Sequence, residues 1–227
     1  ARLDAVAFDL FETLVTRPLG GLGHGERLGC PEVFHKVWKD WGSRRQTARL
    51  AYEDLLAEVC AEGNANASLV PILAKEREER QASLLLQPKP EILQMLTAAR
   101  TLTGRTALVS NCAMEDVAAW DGSPFAPLVD TAVFSCDVGS MKPSLAIYEH
   151  ALDQLGVPAD RAAFVSDSIS DLRAARLAGF RVAVWATWFL DRQAGTPVER
   201  DLAGDRPDRG HHRVNDPAGL VPALTNN

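Results

Sequence analysis

The chain has 227 residues, 46% of them hydrophobic and 24% charged, with a mean hydropathy of -0.09 and a formal net charge of -6. Such a balance fits a soluble globular protein and excludes collagen-like, low-complexity and disulfide-scaffold chains. The negative charge argues against nucleic acid as a partner, because phosphate backbones recruit clustered Lys and Arg, and no apolar stretch reaches the ~18 residues of a membrane span.

The first apolar run, LDAVAFDL (3–10), reads as a buried strand that stops at Asp9, with Phe11, Glu12 and Thr13 just beyond. Residues 17–85 then break any strand rhythm. GGLGHG (20–25) lacks both the GxGxxG spacing and a following Lys-Ser/Thr, so it reads as a linker rather than a phosphate loop. In EVFHKVWKDWGSRRQTARLAYEDLLAEVCAEG (32–63), Val33, Phe34, Val37, Trp38 and Trp41 fall at helical spacing and predict a packing face. Arg44 and Arg45 are neighbours on that helix, and both are expected to face solvent. KEREER (75–80) is mixed in sign and reads as a solvated helix face.

From residue 85 onward strands and helices alternate. Apolar runs at 106–111, 131–135, 162–168 and 181–186 predict strands covered on both faces. Helical patterns at 89–104, 143–158 and 170–180 stop at Gly104, Gly156 and Gly179. This order predicts a doubly wound α/β domain. The tail beyond 190, rich in Pro, Gly, Asp and Arg, is expected to be ordered mainly where AGLVPAL (218–224) docks, with His211 and His212 exposed rather than zinc-binding. The four cysteines, Cys30, Cys60, Cys112 and Cys136, show no CxxC spacing and no leader precedes them, which predicts free thiols and a cytoplasmic setting.

In open α/β sheets the ligand crevice lies beyond the carboxyl ends of the strands. The polar residues predicted there are Asp9, Thr13, Ser110, Asn111, Asp167 and Asp171, with Lys142 in GSMKPS just before a helix. Three carboxylates facing one lysine are costly to bring together unless a cation joins them. Mg²⁺, which favours oxygen ligands, would balance the charge.

FDLFETLV, LVSN, GSMKP and FVSDSISDLRAARLAGF, in that order, resemble the four motifs of the haloacid dehalogenase-like hydrolase superfamily. The resemblance implies a Rossmann-like parallel sheet with helices on both faces (residues 1–16 and 86–227) and a small helical cap (17–85) inserted after the first motif. It implies Asp9 as a nucleophile forming an aspartyl intermediate, with Thr13, Ser110, Asn111 and Lys142 in the catalytic set. Magnesium ligands by the same resemblance are Asp9, Asp167, the backbone carbonyl of Phe11, and Asp171 directly or through water; Asp171 could instead orient Lys142.

Phe11 departs from the pattern. Phosphatases of the superfamily usually carry there a second Asp, whose acid-base role is worth about 10² to 10⁴ in rate. Dehalogenases of the superfamily have an aromatic residue at this place, and Asn111 and Tyr148 also resemble theirs, with Arg44 and Arg45 as candidates for the substrate carboxylate. SDSISD, in contrast, keeps the acidic spacing of the phosphatases. Glu12 points away from Asp9 along an extended strand, so it replaces the missing acid only if the strand has already turned. The first expectation is therefore a Mg²⁺-dependent phosphohydrolase of a small metabolite with weakened acid-base catalysis. Its rivals are a metal-independent 2-haloacid dehalogenase and a catalytically silent binding protein. The expected partner is a small molecule, with neither nucleic acid nor membrane, and the expected assembly a monomer or homodimer.

Overall fold

The computed structural model describes residues 2–17, 21–190 and 211–226. Among these residues six parallel strands form one sheet in the order β3-β2-β1-β4-β5-β6. They are β1 (Ala5–Phe8), β2 (Arg105–Ser110), β3 (Thr131–Phe134), β4 (Ala162–Ser166), β5 (Val182–Ala186) and β6 (His211–Val214). In-register pairs such as Phe8↔Leu108 and Phe8↔Val165 put the ends of β1, β2 and β4 side by side. The chain order reverses at β1, which places the crevice of this topology beside Asp9.

Alternation along each strand divides the core into two layers. Val6, Phe8, Leu108, Val165 and Val184 pack on one face with Ile92, Met95 and Leu96 of α5 (Pro90–Thr103) and with Leu220 and Leu224 of α10 (Leu220–Thr225). Ala5, Ala7, Val109, Phe164 and Ala183 pack on the other face with Ile147, Tyr148 and Leu155 of α8 (Leu145–Leu155) and Leu172 of α9 (Ile169–Leu177). Gly104, Gly156 and Gly179 follow α5, α8 and α9 with φ of 87°, 63° and 95°, so the glycine stops read from the sequence sit where the left-handed backbone favours glycine.

Between β1 and α5 lie α1 (His24–Arg27), α2 (Pro31–Thr47), α3 (Tyr52–Gly63) and α4 (Val70–Leu86). They enclose a third apolar cluster, with Val37, Trp41, Leu55, Leu56, Val59 and Leu73 inside. The predicted stripe of α2 is a packing face, with Val37 and Trp41 buried and Val33, Phe34 and Trp38 partly so. Two short helices of the sheet-bearing part meet this segment: α6 (Met114–Val117) lies against α4, and α7 (Ser135–Val138) against α2.

Three expectations need correction. Residues 211–214 form a sixth strand, paired in register Val184↔His212 with β5, where a mostly unordered tail was expected. Arg45 is buried while Arg44 is exposed, so the two adjacent arginines separate. Within KEREER, Arg77 turns inward, its side chain only 16% exposed. Residues 191–210 lie outside the described residues. Among the described residues no helix is long and apolar enough to cross a membrane.

Candidate active site

Asp9 is the first residue past β1, and its amide donates to the Val165 carbonyl at 2.9 Å. The chain then folds back on itself. The amides of Leu14 and Val15 donate to the Leu10 carbonyl at 2.8 and 3.0 Å, and Glu12 adopts a left-handed φ of 59°. The strand has thus turned before Glu12. Its Oε1 accepts from the Arg17 amide at 2.9 Å, which holds the carboxylate on its own turn, and its Oε2 is buried without a partner. Phe11 is buried, with the Arg17 guanidinium carbon 4.0 Å from its ring centroid.

Lys142 reaches back to this turn. Its Nζ donates to Asp9 Oδ1 and pairs with Asp171 Oδ2 at 2.8 Å. Burial alone would drive the ammonium toward neutrality, but Asp9 and Asp171 outweigh it and hold the lysine charged, above its ordinary range. Asn111 fixes the backbone of the same residue at two points: Lys142 N–H donates to its Oδ1 at 2.8 Å, and its Nδ2 donates to the Lys142 carbonyl at 2.9 Å. Ser110 ends β2, and its Oγ is buried with no hydrogen-bond partner. A buried hydroxyl left in this state is unusual and suits one that awaits a ligand.

Thr13 is buried, and its Oγ1 accepts from the Asp167 amide at 3.1 Å, while its carbonyl accepts from Trp188 Nε1 at 2.9 Å. The Asp167 carbonyl in turn accepts from Trp185 Nε1 at 2.9 Å. These bonds lock the turn after β1 to the loop after β4. Burial, and then the Asp9 carboxylate against which it hydrogen-bonds, push Asp167 up to about 8. Two carboxylates this close cannot both be ionised unless a proton or a cation lies between them.

Asp171 is turned to Lys142, so the acids that share a point are Asp9 and Asp167. Among the described residues no group of three or more His, Cys, Asp and Glu side chains gathers as a metal site. The two carboxylates are nevertheless oxygen ligands of the kind Mg²⁺ takes, with water completing its shell. Tyr148 is fully buried behind the site and donates to the Asp171 carbonyl at 2.9 Å. It therefore braces the start of α9 from below.

Arg44 stacks over Trp41, its guanidinium carbon 5.3 Å from the ring. Arg45 enters a second buried charge cluster, which the sequence reading missed. Glu115 of α6 accepts from Arg45 Nη2 and, at 2.6 Å, from Arg77 Nε; Asp116 accepts from Arg77 Nη2 at 3.0 Å and from Gln81 Nε2 at 2.8 Å. Both guanidiniums also lie 5.0 to 5.2 Å from the rings of Trp38 and Tyr52. Burial opposes ionisation of Glu115, yet Arg45 and Arg77 prevail and hold it below the usual carboxylate range. For Asp116 burial prevails and its carboxyl is raised. The signal available in sequence was the pair of acids that begins four residues beyond Asn111, but their arginine partners are 38 to 70 residues away. A cavity of about 480 Å³, with Arg49, Tyr52, Lys75, Met114 and Glu115 in its wall, adjoins this cluster, and none of Asp9, Ser110, Lys142 or Asp167 lines it.

Residues 3–179 match the family described as haloacid dehalogenase-like hydrolase. The chain belongs to this family of hydrolases. Protein CbbY of Cereibacter sphaeroides is 27% identical over 216 residues, covering 88% of this chain and 91% of that protein. A 2-haloacid dehalogenase from Pseudomonas syringae pv. Tomato superposes with a TM-score of 0.67 at 20% identity, over 99% of both chains. A CbbY variant from Rhodobacter sphaeroides in complex with xylulose-(1,5)bisphosphate superposes with a TM-score of 0.56 at 20% identity, over 98% of this chain and 99% of that one. At 20% identity these superpositions speak to the fold, a haloacid dehalogenase-like α/β architecture.

Proposed function

We propose that the chain is a Mg²⁺-dependent phosphohydrolase of a small phosphorylated metabolite, with residues 17–85 serving as its cap. The observation that carries this reading is the Asp9–Asp167 carboxylate pair, one lysine short of neutrality. Lys142 is already shared between Asp9 and Asp171, so the Asp9–Asp167 pair retains its own demand for a cation. The CbbY relative adds support, since its solved complex holds a bisphosphate.

In this reading Asp9 Oδ attacks the phosphorus in line, forming an acyl phosphate on Asp9 as the leaving oxygen departs, and water then hydrolyses it. Lys142 holds Asp9 ionised and oriented, and Asn111 fixes Lys142. Ser110 Oγ, otherwise unpartnered, donates to an oxygen of the phosphoryl group. Mg²⁺ held by Asp9, Asp167 and the Phe11 carbonyl would offset the charge that spreads over the transferring group. Phe11 gives the leaving oxygen no proton, and the Glu12 carboxylate is engaged by the Arg17 amide. The substrates favoured are therefore acyl and aryl phosphates, whose leaving groups need little protonation.

Phe11 also supports a second reading, the metal-independent dehalogenase. Its weak point is the arginine for a substrate carboxylate: Arg45 is bound to Glu115 and Arg44 lies exposed over Trp41. Assaying p-nitrophenyl phosphate, acetyl phosphate and 2-chloropropionate, each with Mg²⁺ and with EDTA, separates the two. Phosphate release abolished by EDTA and by Asp167→Asn supports the phosphohydrolase. Chloride release indifferent to EDTA replaces it with the dehalogenase, and no turnover on any of the three favours a silent binding protein.

A further inference from the structure

The turn that carries Asp9 also carries a cation that neither the proposed mechanism nor the buried charge clusters use. Arg17 is held to that turn at two points: its amide donates to Glu12 Oε1 at 2.9 Å, and its guanidinium carbon lies 4.0 Å from the centroid of the Phe11 ring. Two residues of chain span at most ~7 Å, so Phe11 keeps this charge close to the nucleophile. Arg17 is exposed, and among the described residues its guanidinium meets no carboxylate. Glu12 is turned to the amide of Arg17 and not to its head group. Arg45 and Arg77, in contrast, are spent on Glu115 and Asp116, and Arg49 on Asp137.

We propose that Arg17 is a substrate-binding residue, which receives a second anionic group, a carboxylate or a phosphate, of the phosphorylated metabolite. The inference rests on the phosphohydrolase reading and narrows its substrates to those with two anionic groups. Contact with an aromatic face engages the charge of a guanidinium but none of its N–H donors. These stay available for the bidentate pairing that carboxylates and phosphates favour. The two anchors also fix a long side chain that would otherwise lose rotamer freedom on binding, which lowers the cost of capturing an anion. Charge points the same way. Asp9, Asp167 and Asp171 outnumber Lys142, so this end of the sheet disfavours an anionic substrate unless further cations oppose its own carboxylates.

This assignment also gives the Phe11 ring a task. It supplies no proton, yet it seats the guanidinium that binds the far end of the substrate. Because Arg17 makes no ion pair with Asp9, the group it binds stands some bonds away from the reacting phosphorus. The carboxylate of a 2-haloacid is bonded to the reacting carbon and does not meet that requirement.

The test is isothermal titration calorimetry of the full chain in Mg²⁺ with non-hydrolysable phosphonates. The probes are ω-phosphonocarboxylates from phosphonopropionate to phosphonovalerate and alkane bisphosphonates of matching length, each beside the plain alkylphosphonate. The expected result is that one length of diacid binds about tenfold more tightly than its alkylphosphonate. Whether the carboxylate or the bisphosphonate series shows the larger preference identifies the second group. Arg17→Gln removes that preference, and Arg17→Lys, which keeps the charge without the planar fork, restores part of it. Equal affinities for diacid and alkylphosphonate at every length, or a preference that Arg17→Gln leaves intact, overturns the assignment. Weakening of both kinds of probe in equal proportion marks a structural role for Arg17 and overturns it too. Because calorimetry needs no turnover, a diacid preference without phosphate release from p-nitrophenyl phosphate counts against the phosphohydrolase alone. Phosphate release without the preference counts against Arg17 alone.

Discussion

Two buried charge clusters occupy opposite ends of the loop that follows β2. At its start, beside Ser110 and Asn111, one lysine faces three carboxylates: Lys142 pairs with Asp9 and Asp171, while Asp167 presses on Asp9. At its end, Glu115 and Asp116 meet two arginines, Arg45 and Arg77, and the charges balance. The first cluster therefore still needs a proton or a cation, and its one orphan hydroxyl, Ser110 Oγ, is left for a ligand. In the second the charges are spent on each other and join α2 and α4 to α6. Burial and ion pairing are common to both; the charge left over distinguishes a site that can do chemistry from a joint that holds two parts together.

Removing the proposed nucleophile should have the largest effect. Asp9→Asn is expected to lower phosphate release by more than about 10³-fold while the fold persists, measured by turnover beside circular dichroism. In the balanced cluster the corresponding change acts on stability. Glu115→Ala strands the Arg45 guanidinium, whose side chain is 5% exposed, and leaves Arg77 with Asp116 alone, and should cost about 3 to 5 kcal/mol in denaturant unfolding. Adding Arg45→Met to it should recover part of that loss, because the stranded charge is then gone. Equal and small effects of both changes would erase the distinction between the clusters.

Asn111→Ala sharpens the comparison at the shared loop. Without its two bonds to Lys142, kcat should fall about 10²-fold with KM nearly unchanged, since a lysine misplaced by about 1 Å costs on that order. The smallest expected effect lies in the helical segment. Burial first, then Arg27, Arg77 and Arg80, lower the His24 imidazole, with Glu76 opposing. As pH falls below about 6.5 the unfolded chain takes up a proton that folded His24 refuses. Stability should therefore decline with falling pH, by at most ~1.4 kcal/mol per unit, until the folded value is reached. His24→Gln should flatten that slope in urea titrations from pH 7 to 5.

The sheet was legible because parallel strands are buried on both faces and read as unbroken apolar runs; β1 to β5 all lie within or across the predicted stretches. β6, HHRV, carries one strongly apolar residue and pairs at the sheet edge, so its composition resembled a tail. The strand-end residues could be named because the topology gathers them wherever the loops go. Two features could not be read. Glu12 is not placed by the period-two argument, because one left-handed residue, with φ of 59°, reverses it. Arg45 and Arg77 looked solvated because each sits among other charges in sequence, while their carboxylate partners come from α6.

Inorganic phosphate release from acetyl phosphate, followed as Mg²⁺ is titrated into metal-stripped protein, tests the charge-deficit account most directly, with Asp167→Asn run alongside. The prediction is turnover that rises from near zero to saturation with Mg²⁺ and is lost in Asp167→Asn. Turnover of equal rate in EDTA, or one that Asp167→Asn leaves intact, would contradict it.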